Sequence, residues 1–161
     1  MFPEQNVITW EEVLQLQQLG HEITSHGVRH VDLNLCNTTE LQLELLGSLA
    51  VFKSMGVDVS SYTCAFNCWT SRALEISKRV YDVFRGSVGV NKLPLTENIY
   101  HGMDGTQAIR YIRENMGKDE WVVGAWHDVD PYKFEGTIKS VKTLGVEVKT
   151  VREMFGETRL L

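Results

Sequence analysis

The sequence predicts an α/β protein built on a parallel sheet or barrel, and three observations carry that prediction. Short apolar stretches alternate with amphipathic segments along nearly the whole chain, the pattern of β–α units whose sheet is covered on both faces. The longer helical segments open on capping residues and close on glycine. His26, Asn67 and His127 each fall just past the C-terminal end of an expected strand, the edge where parallel α/β folds gather ligands and catalytic groups.

The elements follow in order. "ITWEEVLQLQQLG" opens with Thr9 and Glu12 in capping-box spacing, continues through Leu14, Leu16 and Leu19, and stops at Gly20. "HEITS" reads as a short strand. "NTTELQLELLGSLAVFKSMG" is a longer helix with Asn37 and Glu40 as its capping pair and Gly56 as its stop. "YTCAF" is a strand, "SRALEISKR" a helix and "YDVFRGS" a strand, with a further strand around "NIYH". "GTQAIRYIRENMG" is an amphipathic helix ending at Gly117, and "EWVVGAWH" is the most apolar strand. "FEGTIKSVKTLG" returns to helix, "VEVKTV" is a last strand, and a helical turn follows at Arg152 to Phe155.

At 161 residues the chain suits one domain with a real core, expected to span 1–161. Its 43% hydrophobic and 23% charged residues are ordinary for a globular protein. A net charge of −5 argues against a nucleic-acid partner, which calls for a basic stripe. No apolar run approaches the roughly 20 residues of a membrane span. The start, "MFPEQNVITW", has no basic and apolar leader pattern, so a cytoplasmic location is expected for the chain as given. Cys36, Cys64 and Cys68 are odd in number and irregular in spacing, which fits free thiols better than a disulfide framework.

Three of the five histidines lie in "GHEITSHGVRHVDLN". His26 and His30 stand four apart after an expected strand, where a first helical turn brings both imidazoles to one side. Neutral imidazoles suit zinc and similar divalent ions, but a catalytic zinc takes three protein ligands. The alternative is that both rings hydrogen-bond to backbone carbonyls or to Asp32. His127, followed by Asp128 and Asp130, has the chemistry of a general acid near neutral pH. Trp69, just past Asn67, and Trp126, directly before His127, are suited either to stacking on a ligand or to core packing.

"LGHEITSHGVRHVDLN" resembles the second motif of the polysaccharide deacetylase family, the NodB-homology domain of carbohydrate esterase family 4. "SYTCAFNCWTSRALEISKRVYDVFRGS" is similar to the family's third-motif region. "EWVVGAWHDVDPYKFEGTIKSVKTLGVEVKTVREMF" is similar to its closing segment. The resemblance runs from about Glu11 to Phe155. It implies a distorted, incomplete (β/α) barrel of parallel strands with outer helices. It also implies metal-dependent removal of acetyl groups from N- or O-acetylated oligo- or polysaccharide. The ion, zinc or another divalent metal, is expected on His26 and His30 with a first-motif Asp. His127 matches the histidine that protonates the leaving group. A backbone N–H near Cys68 matches the oxyanion donor, with Asn67 and Trp69 beside it at the substrate.

The departures from the family pattern set further expectations. No Thr-Phe-Asp-Asp-Gly-like segment precedes His26, and Glu4, Glu11 and Glu12 are the only acids before His21. The first barrel strands, which carry that motif, are expected to be missing, with activity impaired. The third motif's Arg and Pro are replaced in the run Ala65, Phe66, Asn67, Cys68. Asp104 lies in the region of the fourth motif without its neighbours. A barrel short of strands exposes sheet edges, so a second copy or a partner chain is expected to cover them. The second reading is a module of the same fold that binds carbohydrate or a protein partner without turnover.

Overall fold

The computed structural model describes residues 7–93, 95, 99–127 and 130–158. Its centre is a curled four-stranded sheet in the order β1 (Ser61–Thr63), β2 (Val83–Val88), β4 (Ile99–Asp104), β6 (Gly124–Ala125), every pair parallel. Ser25 makes a parallel bridge to Tyr62 on the β1 side. With helices on its flanks, the sheet is a half-barrel, the incomplete β/α barrel expected from the sequence. A two-stranded antiparallel ribbon, β3 (Asn91–Lys92) with β5 (Glu120–Trp121), stands beside it. Buried Asn91 ties the ribbon to the sheet: its Nδ2 donates to the carbonyls of His101 and Trp121, and its Oδ1 accepts from His101 N.

The helices start where local chemistry dictates. In α1 (Trp10–Gln18) Thr9 Oγ1 accepts from Glu12 N at 3.2 Å, while Glu12 Oε2 accepts from Thr9 N at 2.6 Å. Asn37 and Glu40 repeat this at the start of α2 (Thr38–Gln42). That helix runs through a π-helical turn, Leu43–Gly47, into α3 (Ser48–Ser54). Thr70 caps α4 (Ser71–Ser77) and Asp104 caps α5 (Gly105–Glu114). Two further helices follow, α6 (Pro131–Thr143) and α7 (Val151–Thr158).

Adjacent strand residues face opposite ways, and this splits the core in two. Tyr62 and Phe84 pack with Leu33, Leu41, Leu45 and Leu49 and with Ala73 and Ile76, under the helices α2 to α4. Val83 and Tyr100, on the other face, pack with Phe155 of α7 and with Trp121. Arg152 anchors α7 below the strands: its backbone N–H donates to Glu22 Oε2 at 2.8 Å, and its guanidinium reaches Asp58 and Ser60.

Three expectations are corrected. "HEITS" contributes only the single bridge at Ser25. "EWVVGAWH" divides into β5 and β6 in different sheets, because Trp121 pairs antiparallel with Asn91 whereas Gly124 pairs parallel with Met103. "VEVKTV" is not a strand; residues 146–150 lead directly into α7. Among the described residues no helix is long and apolar enough to cross a membrane.

Candidate active site

The C-terminal ends of Ser25, β1, β2, β4 and β6 share one edge of the parallel sheet, and the candidate residues lie along it. Ser25 is held in the ladder by Ser25 N to Ser61 O at 3.0 Å and Thr63 N to Ser25 O at 2.8 Å. His26 therefore leaves the sheet beside the end of β1. Its Nδ1 lies 2.7 Å from Thr63 O. A carbonyl oxygen only accepts, so Nδ1 carries the proton and Nε2 keeps its lone pair.

From His26 to His30 the chain makes a tight loop. Gly27 has φ of +90° and His30 φ of +54°. The loop is organised by Glu44 of the π-helical turn, whose side chain is 1% exposed. Its Oε2 accepts from Val28 N at 2.8 Å and Arg29 N at 3.1 Å, and its Oε1 pairs with Arg29 Nε at 2.7 Å. Burial raises the Glu44 carboxyl's pKa, but the Arg29 guanidinium and the two backbone N–H groups outweigh it and hold the net value below the usual range. So clamped, the loop brings the rings of His26 and His30 to 4.8 Å in an edge-to-face contact.

After β1 the chain enters a 3-10 turn, Ala65–Asn67. Phe66 and Asn67 are both left-handed, with φ of +55° and +54°, a conformation that non-glycine residues rarely take outside specially held loops. The exposed Phe66 ring lies 4.8 Å from that of His30. Asn67 is exposed at the same edge. Cys68 N donates to Ala65 O at 3.1 Å and so is engaged within the turn. Trp69 packs edge-on against Phe84 at 5.8 Å and is partly buried on the core.

His127 follows β6 and is exposed. Its charge bears on His26. Partial desolvation is the largest cause of the lowered His26 pKa; the Thr63 carbonyl opposes it, and the charges of His30, Arg85 and His127 add to it. Asp128 lies outside the described residues. Trp126 rests over Gly105 and Gly124, where an added Cβ would collide with its ring, and it meets Phe134 at 5.5 Å. Asp104 caps α5 through bonds from Thr106 N and Gln107 N. Asp32 caps the 3-10 turn Leu33–Leu35. All three cysteines are free; Cys64 Sγ donates to Arg85 O and Gly86 O, and burial pushes its thiol up to about 11.

A metal ion bound here would meet two suitable donors. His26 offers Nε2 with its Nδ1–H fixed by a carbonyl, the usual arrangement of a metal-bound histidine, and the His30 ring stands beside it. Among the described residues no group of three His, Cys, Asp or Glu side chains is placed to hold an ion. The pair fits two positions of a site that takes three protein ligands when catalytic.

Sequence reasoning passed over Glu44, Phe66 and Arg85 as functional residues. The signals were faint: an acid among leucines in "LELLG", an aromatic in an otherwise small and polar turn, and a charge within the apolar strand "YDVFRGS".

Residues 2–81 match the family model for polysaccharide deacetylase. The matched span includes His26, His30, Asn67, Cys68 and Trp69; β2 onward, with Arg85 and His127, lies beyond it. No curated protein matches the chain.

Proposed function

Because the chain belongs to the polysaccharide deacetylase family through residues 2–81, we propose that it is a hydrolase that removes acetyl groups from N- or O-acetylated carbohydrate. In that reaction water adds to the acetyl carbonyl carbon, the bond from that carbon to nitrogen or oxygen breaks, and acetate leaves a free amine or hydroxyl. The observation that carries the proposal is the convergence of His26 and His30 at the C-terminal edge, with the His26 tautomer fixed by Thr63 O.

His26 and His30 would be ligands of a zinc or similar divalent ion. When bound, the ion supplies polarisation of the acetyl carbonyl and of water. The chain's own groups do the rest. Thr63 O orients His26, and Glu44 holds the loop that presents both rings. His127, reaching the same edge from β6, donates the proton that the leaving amine or alkoxide needs. Asn67 and Trp69 contact the substrate beside it. With Cys68 N bonded to Ala65 O, the oxyanion would take its hydrogen bond from a neighbouring group of this turn or after that bond opens. Taking residues 1–161 as one such domain is supported by α7, which returns from the C-terminal part to Glu22, Asp58 and Ser60.

The test is acetate release from acetylated chitooligosaccharide and from acetylated xylan with added zinc. Release that falls at least a hundredfold in His26→Ala and His30→Ala supports the proposal; no release, or release unaffected by both substitutions, overturns it. A second reading, carbohydrate binding without turnover, is favoured by the exposed Phe66 and Trp126 rings on the same edge. Oligosaccharide binding in calorimetry with no acetate formed would establish it instead.

A further inference from the structure

The non-glycine residues with left-handed backbone among the described residues are His30, Phe66 and Asn67, with φ of +54°, +55° and +54°. All three lie at the C-terminal edge beside His26. Histidine and asparagine enter this region more readily than most side chains; a bulky phenylalanine there is an outlier. Strain of this kind gathers where ligands are held, and it persists only where the surroundings impose it. Here they do so from both sides of the turn. Cys64 Sγ donates to Arg85 O and Gly86 O before it, and Cys68 N and Sγ donate to Ala65 O and Phe66 O after it. Held in this way, Phe66 is still 61% exposed, so the fold gains little apolar burial from a side chain that glycine could replace without strain. Its ring contacts His30 at 4.8 Å, and His30 contacts His26 at the same distance. The open ring thus stands one ring away from His26. Asn67 is exposed next to it, and its amide bonds to none of the described residues.

An aromatic face carries negative charge density, which attracts the weakly positive C–H groups along the apolar face of a pyranose. A free amide beside it offers both a donor and an acceptor to the ring hydroxyls. An apolar platform with a few placed polar groups is the common make-up of a small-molecule site. We infer that Phe66 and Asn67 form a sugar-ring subsite: Phe66 stacks on the apolar face of a pyranose, Asn67 holds one of its hydroxyls, and the acetyl group of that ring is thereby presented to the His26–His30 pair. The inference deepens the hydrolase reading, and it rests on that reading for the acetyl group's destination. It makes Phe66 a specificity-determining residue, through which the chain reads the ring as well as the acetyl group. An N-acetylated amino sugar and an O-acetylated xylose share this chemistry.

The experiment uses the full chain with a chelator present, so that no metal contributes. N-acetylated chitotriose, acetylated xylotriose and, as the control without a ring, acetamide are titrated by calorimetry, and saturation transfer from the Phe66 ring to sugar C–H protons is followed by NMR. Saturable binding of at least one saccharide with transfer from Phe66, and neither with acetamide, is expected; the tighter saccharide identifies the sugar. In Phe66→Leu, which keeps apolar bulk without the aromatic face, affinity falls about tenfold. Phe66→Trp keeps it. Phe66→Gly loses it while holding its urea midpoint, because glycine takes φ of +55° freely. No binding of either saccharide, no transfer from the ring, or unchanged affinity in Phe66→Leu and Phe66→Gly overturns the subsite. Acetate release with zinc on the same preparations separates the two claims. Turnover with an unchanged KM in Phe66→Leu removes only this subsite, and binding through Phe66 without turnover removes only the hydrolase.

Discussion

Glu44 Oε2 accepts the backbone N–H of Val28 at 2.8 Å from a helix 16 residues further along the chain. With Arg29 N on the same oxygen and Arg29 Nε on the other, one buried carboxylate sets the shape of the loop between the two histidines. Removing it leaves two backbone donors without an acceptor. Glu44→Ala is expected to cost about 2–3 kcal/mol, read as a lower urea midpoint at unchanged m. The partly exposed Arg29 adds little to that figure. On the proposed hydrolase reading acetate release is expected to fall with it, and a variant as stable as the parent would show that the clamp has no such role.

The same carboxylate makes stability depend on acid. Its folded pKa lies below the unfolded value, so above about pH 4.3 both states are ionised and its full stabilisation is present. As pH falls below that value the unfolded chain takes up the proton first, and stability is lost until the folded pKa is passed. Glu44→Gln is expected to flatten the part of the stability curve that falls away below about pH 4.3. An unchanged slope would assign the acid sensitivity to other groups.

Gly27 sits against this clamp. A Cβ there would lie 2.7 Å from Glu44 Oε2 and 3.1 Å from Tyr62 Oη, on a backbone at φ +90°. Gly27→Ala combines strain with collision and is expected to destabilise by about 1–3 kcal/mol. It should also widen the His26–His30 spacing, seen as weaker zinc uptake in equilibrium dialysis.

Phe155 is 5% exposed, between Tyr100 and Trp121. Phe155→Ala is expected to cost about 3–5 kcal/mol, with early hydrogen exchange throughout α7. A loss below 1 kcal/mol would mean that α7 contributes little to the half-barrel.

Cys64 offers a check on packing. With its thiol pushed up to about 11 by burial, it should resist iodoacetamide at pH 8 in the folded protein and react once unfolded. Rapid native alkylation would contradict the enclosed position between β1 and β2.

What was legible in the sequence was local. The Thr9–Glu12 and Asn37–Glu40 boxes lie within four residues of chain, and both helices begin where those pairs place them. The strand edge that collects His26, Asn67 and His127 was legible because parallel topology follows from the alternation of elements. "VEVKTV" misled because alternation marks a strand's side chains but not a partner to receive its N–H groups. "EWVVGAWH" misled because a continuous apolar run hides where one sheet ends and another begins. Glu44 was opaque for a different reason: its partners, Val28 and Arg29, are remote in sequence, so an acid among leucines carries no local sign of its role. Arg85 becomes visible only once Gly102, on another strand, leaves space for it.

The bond from Arg152 N to Glu22 Oε2 closes a span of 130 residues. Loop closure on that scale is slow to find although it costs little more than a shorter one, and parallel pairing has the same long-range character. Docking of α7 is therefore expected as a late step in refolding. Until it occurs, Tyr100 and Trp121 lie open to water, and the chain passes through a sticky interval whose length depends on how fast Arg152 finds Glu22. Dilute refolding should succeed where concentrated refolding aggregates, and the difference should grow when Arg152 is replaced by alanine.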